Sequence, residues 1–114
     1  MFRQTTSLYV DTQSARKSGA KAKVWLKWIH AEPVEVEYSQ PRKTYKVEKA
    51  LAIYNCAERT TLTLQVIDYA EIDGGEVVFN ASAPDSPGRY TEVAPETIGE
   101  SILNFVCRES SAKK

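Results

Sequence analysis

The sequence predicts an α+β fold: a single antiparallel β-sheet of about five to six strands packed against a C-terminal α-helix. Three observations carry that prediction. Period-two alternation of apolar and polar residues recurs along the chain, most clearly in "KVWLKWIHA". Turn residues punctuate the strand-like runs, above all Gly74 and Gly75 behind Asp73. The segment with helical spacing, "PETIGESILNFVCRE", comes near the end.

With 114 residues the chain has room for one hydrophobic core and one site at most. We expect a single domain over residues 1–114, with its core at about 7–108 and a polar tail at 109–114. Fifteen basic and 15 acidic residues give a formal net charge of zero, so no global field draws in nucleic acid. Hydrophobic residues make up 42% of the chain, but no apolar run approaches the roughly 20 residues of a membrane span, so membrane insertion is not expected. The start, "MFRQTTSLYV", lacks the long apolar core of a signal peptide. Either the protein is cytosolic or the chain is a mature form without its leader.

Taken in order, "SLYVD" reads as a short strand, and the polar, basic "SARKSGAKAK" after it as an exposed turn. In "KVWLKWIHA", Val24, Leu26, Trp28 and His30 share one face while Trp25, Lys27 and Ile29 share the other. Tryptophans on both faces mean that both faces meet something. "EPVEVEYSQPRKTY" carries two prolines and reads as a loop or irregular edge segment of extended character. "YKVEKALAIYNC" and "TTLTLQVIDYAEI" are two long strands joined by the short polar "AER". In the second, Leu62, Leu64 and Val66 face one way and Thr61, Thr63 and Gln65 the other, as in a half-buried antiparallel strand. A hairpin at Asp73 leads into the strand "EVVFNAS", and "APDSPGRY" breaks the pattern as a loop. In the last element Thr97 to Glu100, "TIGE", fits a capping box. Ile98, Ile102, Phe105 and Val106 fall at helical spacing and would pack on the sheet.

Few residues offer chemistry. Cys56, on a predicted strand, and Cys107, on the predicted helix, admit three readings: a disulfide, two buried reduced thiols, or one reactive nucleophile. A bridge over that span would stabilise the domain by about 4 kcal/mol in the chain-entropy estimate. Two cysteines and the lone His30 fall short of the four ligands of a zinc site. A catalytic Cys–His pair would need His30 within hydrogen-bond reach of a thiol, and a histidine closing an alternating strand is more often a packed or edge residue. Asp68, Glu71, Asp73 and Glu76 gather around the glycine turn, but their spacing does not match a calcium loop, so we expect them to be solvated. No metal or other cofactor is expected. The run "RKSGAKAK", with "PRK", Lys46 and Lys49, forms either a solvated face or a cationic patch for an acidic partner. Tyr38, Tyr45, Tyr54, Tyr69 and Tyr90 lie on or beside strands; several exposed together would make an adhesive surface.

Six stretches also form a wider pattern: "YVDTQS", "KVWLKW", "YNC" and the strand after it, "PDSPGRYTEVAPETIGE", and "NFVC". The pattern resembles the surface-adhesin protein E family of Gram-negative bacterial proteins, from about "LYVD" to "NFVC". The resemblance implies an exported domain with an antiparallel sheet and a C-terminal helix. It also implies a Cys56–Cys107 bridge pinning the helix to the sheet, and hence an oxidising compartment, the periplasm or cell surface. The functional expectation is a non-enzymatic binding module that contacts host extracellular-matrix or serum proteins. Its binding surface would include Trp25 and Trp28 with the basic residues Arg16, Lys17, Lys21 and Lys23. An exposed sheet edge can also pair with its twin, which makes a homodimer part of the same expectation. The alternative is an envelope structural or stress-related protein without adhesin activity.

Overall fold

The computed structural model describes residues 6–36, 41–72 and 74–112. The strands are β1 (Thr6–Ser18), β2 (Lys21–Glu35), β3 (Thr44–Asn55), β4 (Thr60–Glu71), β5 (Gly74–Ser82) and the short β6 (Thr91–Glu92). A 3-10 turn at Pro87–Arg89 precedes β6, and the helix α1 (Ile98–Ala112) follows it. β1 to β5 lie side by side in chain order, each antiparallel to the last, and β6 pairs with β4 beyond the end of β5. The expected antiparallel sheet with one C-terminal helix is the fold of this protein.

Residue types at the turns explain the meander. Gly19 (φ 61°) and Gly75 (φ 59°) take left-handed backbone at the β1–β2 and β4–β5 turns, where a side chain would be strained. At Gly75 an added Cβ would also meet the Glu71 side chain at 3.1 Å. Between β3 and β4, Oδ1 of Asn55 accepts from the backbone N–H groups of Ala57 (3.1 Å) and Glu58 (3.0 Å). This side chain mimics a backbone turn and closes the hairpin. Asp73, at the tip of the predicted hairpin, lies outside the described residues, while the pairing of Glu71 with Gly74 confirms the hairpin itself.

The structure corrects several local expectations. "SARKSGAKAK" is not a long turn: strand continues to Ser18 and resumes at Lys21, leaving only Gly19 and Ala20 to turn. β2 runs through Pro33 to Glu35, so of the two readings of "EPVEVEYSQPRKTY", loop or irregular extended segment, its first part follows the extended one. Pro33 is accommodated where the β2–β3 register shifts between Ile29 and Val34. Tyr38 lies outside the described residues. In β4 the expected alternation breaks at Leu64, where the register against β3 slips between Leu51 and Ala52. Leu62 therefore pairs with Ile53 and Val66 with Ala50, on opposite faces of the sheet.

One face of the sheet carries α1. Ala15, Ala22, Val24, Leu26, Ala52 and Tyr54 form a buried cluster with Ile102, Leu103 and Val106 of the helix. Small residues at Ala15, Ala22 and Ala52 leave room for the helix, and Leu103 fills it at 1% exposure. Ile98, expected on the packed face, is 68% exposed, and Leu103 takes the place the sequence reading gave it. The cap is modified too. Thr97 Oγ1 accepts from the Glu100 N–H (3.2 Å) as expected, but the Glu100 carboxylate accepts from Glu96 N–H (2.8 Å), one residue before the cap. Glu96 has positive φ (62°), which turns its N–H toward that carboxylate. The helix also continues to Ala112, into the segment expected to be tail.

Cys56 and Cys107 form a disulfide with Cα atoms 5.8 Å apart and 51 positions apart in sequence. Cys56 does not end a strand as expected; it opens the turn after β3, and its N–H donates to Ala20 O (2.7 Å). The bridge thus fastens the helix to the end of the sheet where two hairpin turns meet. Closing a span of this size contributes about 4 kcal/mol in the chain-entropy estimate.

Candidate functional site

The face of the sheet away from α1 carries a groove of about 540 Å³ lined by Tyr9, Asp11, Trp25, Lys27, Lys49, Ile67 and Tyr69, with Val10 and Leu26 beneath. Strand register builds it. Tyr9 is opposite Lys27, Asp11 opposite Trp25, Lys27 opposite Lys49, and Lys49 opposite Ile67, so these side chains share one face across four strands. Tyr9 is 54% exposed, whereas Trp25, Lys27, Lys49 and Tyr69 are half-buried. Lys49 Nζ lies 5.2 Å from the centre of the Tyr69 ring, a cation–π contact that fixes the ammonium beside the aromatic face.

Such a surface offers broad aromatic area at low conformational cost, flanked by cations. It contains no nucleophile–base pair. His30 lies elsewhere: its Nδ1 hydrogen-bonds the Thr6 hydroxyl (3.0 Å) and its ring meets Tyr45 edge-on at 5.7 Å. Both sulfurs are tied up in the disulfide.

The residues proposed from sequence as a binding surface do not all meet. Trp25 lies in the groove, but Trp28 points to the other side and packs against the helix-bearing core. Arg16 pairs in register with Lys23, next along the groove face from Trp25, and its guanidinium donates to Gln13 O and Ala15 O, both 2.8 Å. Lys17 is opposite Ala22. Lys21 bridges to Asp85 (3.5 Å) and stands 4.9 Å over the Tyr90 ring, while Tyr90 donates its hydroxyl proton to Asp85 (2.8 Å). This knot ties the loop after β5 to the end of β2. Lys21 is held protonated more firmly than usual, first by its hydrogen bond to Tyr90 and then by the charge of Asp85. Arg42 and Lys43 are likewise bridged, to Glu35 (3.0 Å) and Glu76 (3.7 Å). Sequence reasoning missed Tyr9, Lys27, Lys49, Ile67 and Tyr69 as one constellation, because their grouping rests on register between strands.

A second feature departs from expectation. Asp68 is not solvated: at 4% exposure it is the one buried charged residue among those described. Its Oδ1 has no hydrogen-bond partner there. Asp68 pairs across strands with Glu48, on the helix-bearing face but toward the end that α1 does not reach. Burial first, then a shared hydrogen bond with Glu48 and the charge of that residue, push the Asp68 carboxyl up to about 7.

No helix among the described residues is long and apolar enough to cross a membrane. A family model and solved structures place the chain among known proteins. The sequence model of the family described as surface-adhesin protein E matches residues 2–108. No curated protein matches the chain. Among solved structures, Haemophilus influenzae protein E superposes with a TM-score of 0.66 at 14% identity, over 94% of this chain and 81% of that one. A structure from a non-typeable strain gives 0.65 at 16% identity, over 93% and 72% of the two chains. The selenomethionine form gives 0.64 at 16%, over 89% and 78%. Likeness at this level of identity establishes the shared fold.

Proposed function

Because the chain belongs to the surface-adhesin protein E family, we propose that it is an exported, non-enzymatic protein-binding module of the bacterial envelope whose contact surface is the groove opposite the helix. The observation that carries this reading is the grouping of Tyr9, Trp25 and Tyr69 with Lys27 and Lys49 on a face that α1 leaves uncovered. Aromatic side chains with interleaved cations are the composition of protein-recognition surfaces, where a few anchors supply most of the affinity. The two lysines suit a partner that presents carboxylates, and the candidate partners are host extracellular-matrix or serum proteins. The disulfide supports residence in an oxidising compartment, the periplasm or the cell surface. The binding surface expected from sequence is narrowed accordingly: Trp25 is retained, Lys23 and Arg16 lie next to it along the same face, and Trp28 serves the core.

Purified matrix and serum proteins immobilised on a sensor surface test the reading. Binding that persists when salt is raised to about 0.5 M, where exposed charge attraction is screened, is the expected outcome. Trp25→Ala should weaken it by at least about tenfold, as for an interface anchor. Absence of any salt-resistant binding would favour an envelope structural or stress-related role without a host ligand.

A further inference from the structure

The far end of the helix-bearing face holds a depression of about 500 Å³, lined by Val34, Glu35, Val36, Tyr45, Glu48, Val66, Asp68 and Phe79. Its walls are apolar and aromatic, with Phe79 40% exposed at the opening. Asp68 lies against it, buried, with Oδ1 unpartnered. Leaving a buried carboxylate oxygen without a partner costs stability, and an apolar pair in the same places would avoid the cost.

We propose that this depression is a receptor for an arginine side chain of a protein partner, whose guanidinium bridges Glu48 and Asp68. The charge balance favours a cation. Glu48 comes from β3 and Asp68 from β4, directly opposite each other. Glu35 on β2 is already occupied by Arg42 (3.0 Å), and Lys43 at the neighbouring rim is bridged to Glu76 (3.7 Å). Two carboxyls therefore remain for an incoming positive group. A metal ion is a poorer occupant, because no group of three or more metal-ligating side chains gathers among the described residues. A planar guanidinium can donate to both carboxylates at once while its faces and stem rest on Tyr45, Phe79 and the valines. The site lies on the opposite face from the aromatic groove and stands or falls separately from the function proposed above.

The probe is N-acetyl-arginine amide, whose guanidinium is its one charge, with the neutral N-acetyl-citrulline amide as its isosteric control. Carboxyl-carbon NMR of the intact, oxidised protein at pH 7.5 follows Glu48 and Asp68. A saturable shift of both resonances in the millimolar range, as expected of a single side chain, would support the site. The midpoint of Asp68 should fall as the probe binds, because the bound cation favours its ionised form. The citrulline analogue should leave both resonances in place, and Glu48→Gln should weaken the arginine probe at least about fivefold. Asp68→Asn, which removes a buried charge and should fold, should abolish the response. No saturable shift, or equal shifts from both probes, would overturn the proposal.

Discussion

On one side of the sheet three alanines open a seat among larger buried residues, and on the other a group of large amphipathic side chains stays partly exposed. Ala15, Ala22 and Ala52 make a seat into which Ile102, Leu103 and Val106 settle, and the disulfide locks the helix there. The opposite side sets Tyr9, Trp25 and Tyr69 beside Lys27 and Lys49, with no helix upon them. Coverage by the helix, made possible by the alanines, therefore separates the two roles. The seat is committed to stability, while the broad half-buried aromatics remain available to a partner. Residues of the first side should thus cost stability when altered, and residues of the second should cost binding.

The largest effect should come from the bridge. Replacing both Cys56 and Cys107 with alanine should lower unfolding free energy by about 4 kcal/mol, read from urea titration of the oxidised wild type and the variant. A loss under about 1 kcal/mol would mean that packing alone seats the helix and that the two sides differ less than argued. Leu103→Ala should follow at about 3 kcal/mol by the same titration, because it empties the centre of the seat. Tyr9→Ala, on the exposed outer strand of the other side, should stay within about 1 kcal/mol. Equal costs for these two substitutions would erase the distinction.

Asp68 belongs to the helix-bearing face but not to the seat. Its folded carboxyl is raised to about 7 by burial and by Glu48, whereas an unfolded aspartate titrates near 4. The folded state thus holds a proton that the unfolded state has lost, and stability should fall as pH rises from about 4 to 7 and level off above. Asp68→Asn should flatten that slope in thermal melts across the pH range. An unchanged slope would place the linkage elsewhere. A similarly small effect is expected at the helix start, where Thr97→Ala removes the cap and should cost about 1 kcal/mol by urea titration.

The sequence made much of the fold legible and little of the site. Alternation in "KVWLKWIHA" correctly divided Val24 and Leu26 from Trp25, because period two follows from backbone geometry within one strand. The Asp73 hairpin and the final helix were equally visible through local turn chemistry and spacing. What escaped depends on neighbours. The bulge at Leu64 moves Leu62 and Val66 to opposite faces, and nothing in "TTLTLQV" marks where a strand will slip against its partner. Asp68 read as a solvated turn residue because its burial comes from Glu48 and from the walls contributed by β2, β3 and β5. The pairing of Cys56 with Cys107 came from family resemblance, since residue counting left free thiols equally open.

Titration of the isotope-labelled, oxidised protein with a bound matrix or serum protein, followed by backbone NMR, tests the division of the two sides most directly. Perturbed amides should cluster around Tyr9, Trp25, Lys27, Lys49 and Tyr69 while those of Ile102, Leu103 and Val106 stay unmoved. Perturbation centred on the helix, with the aromatic groove silent, would contradict that division.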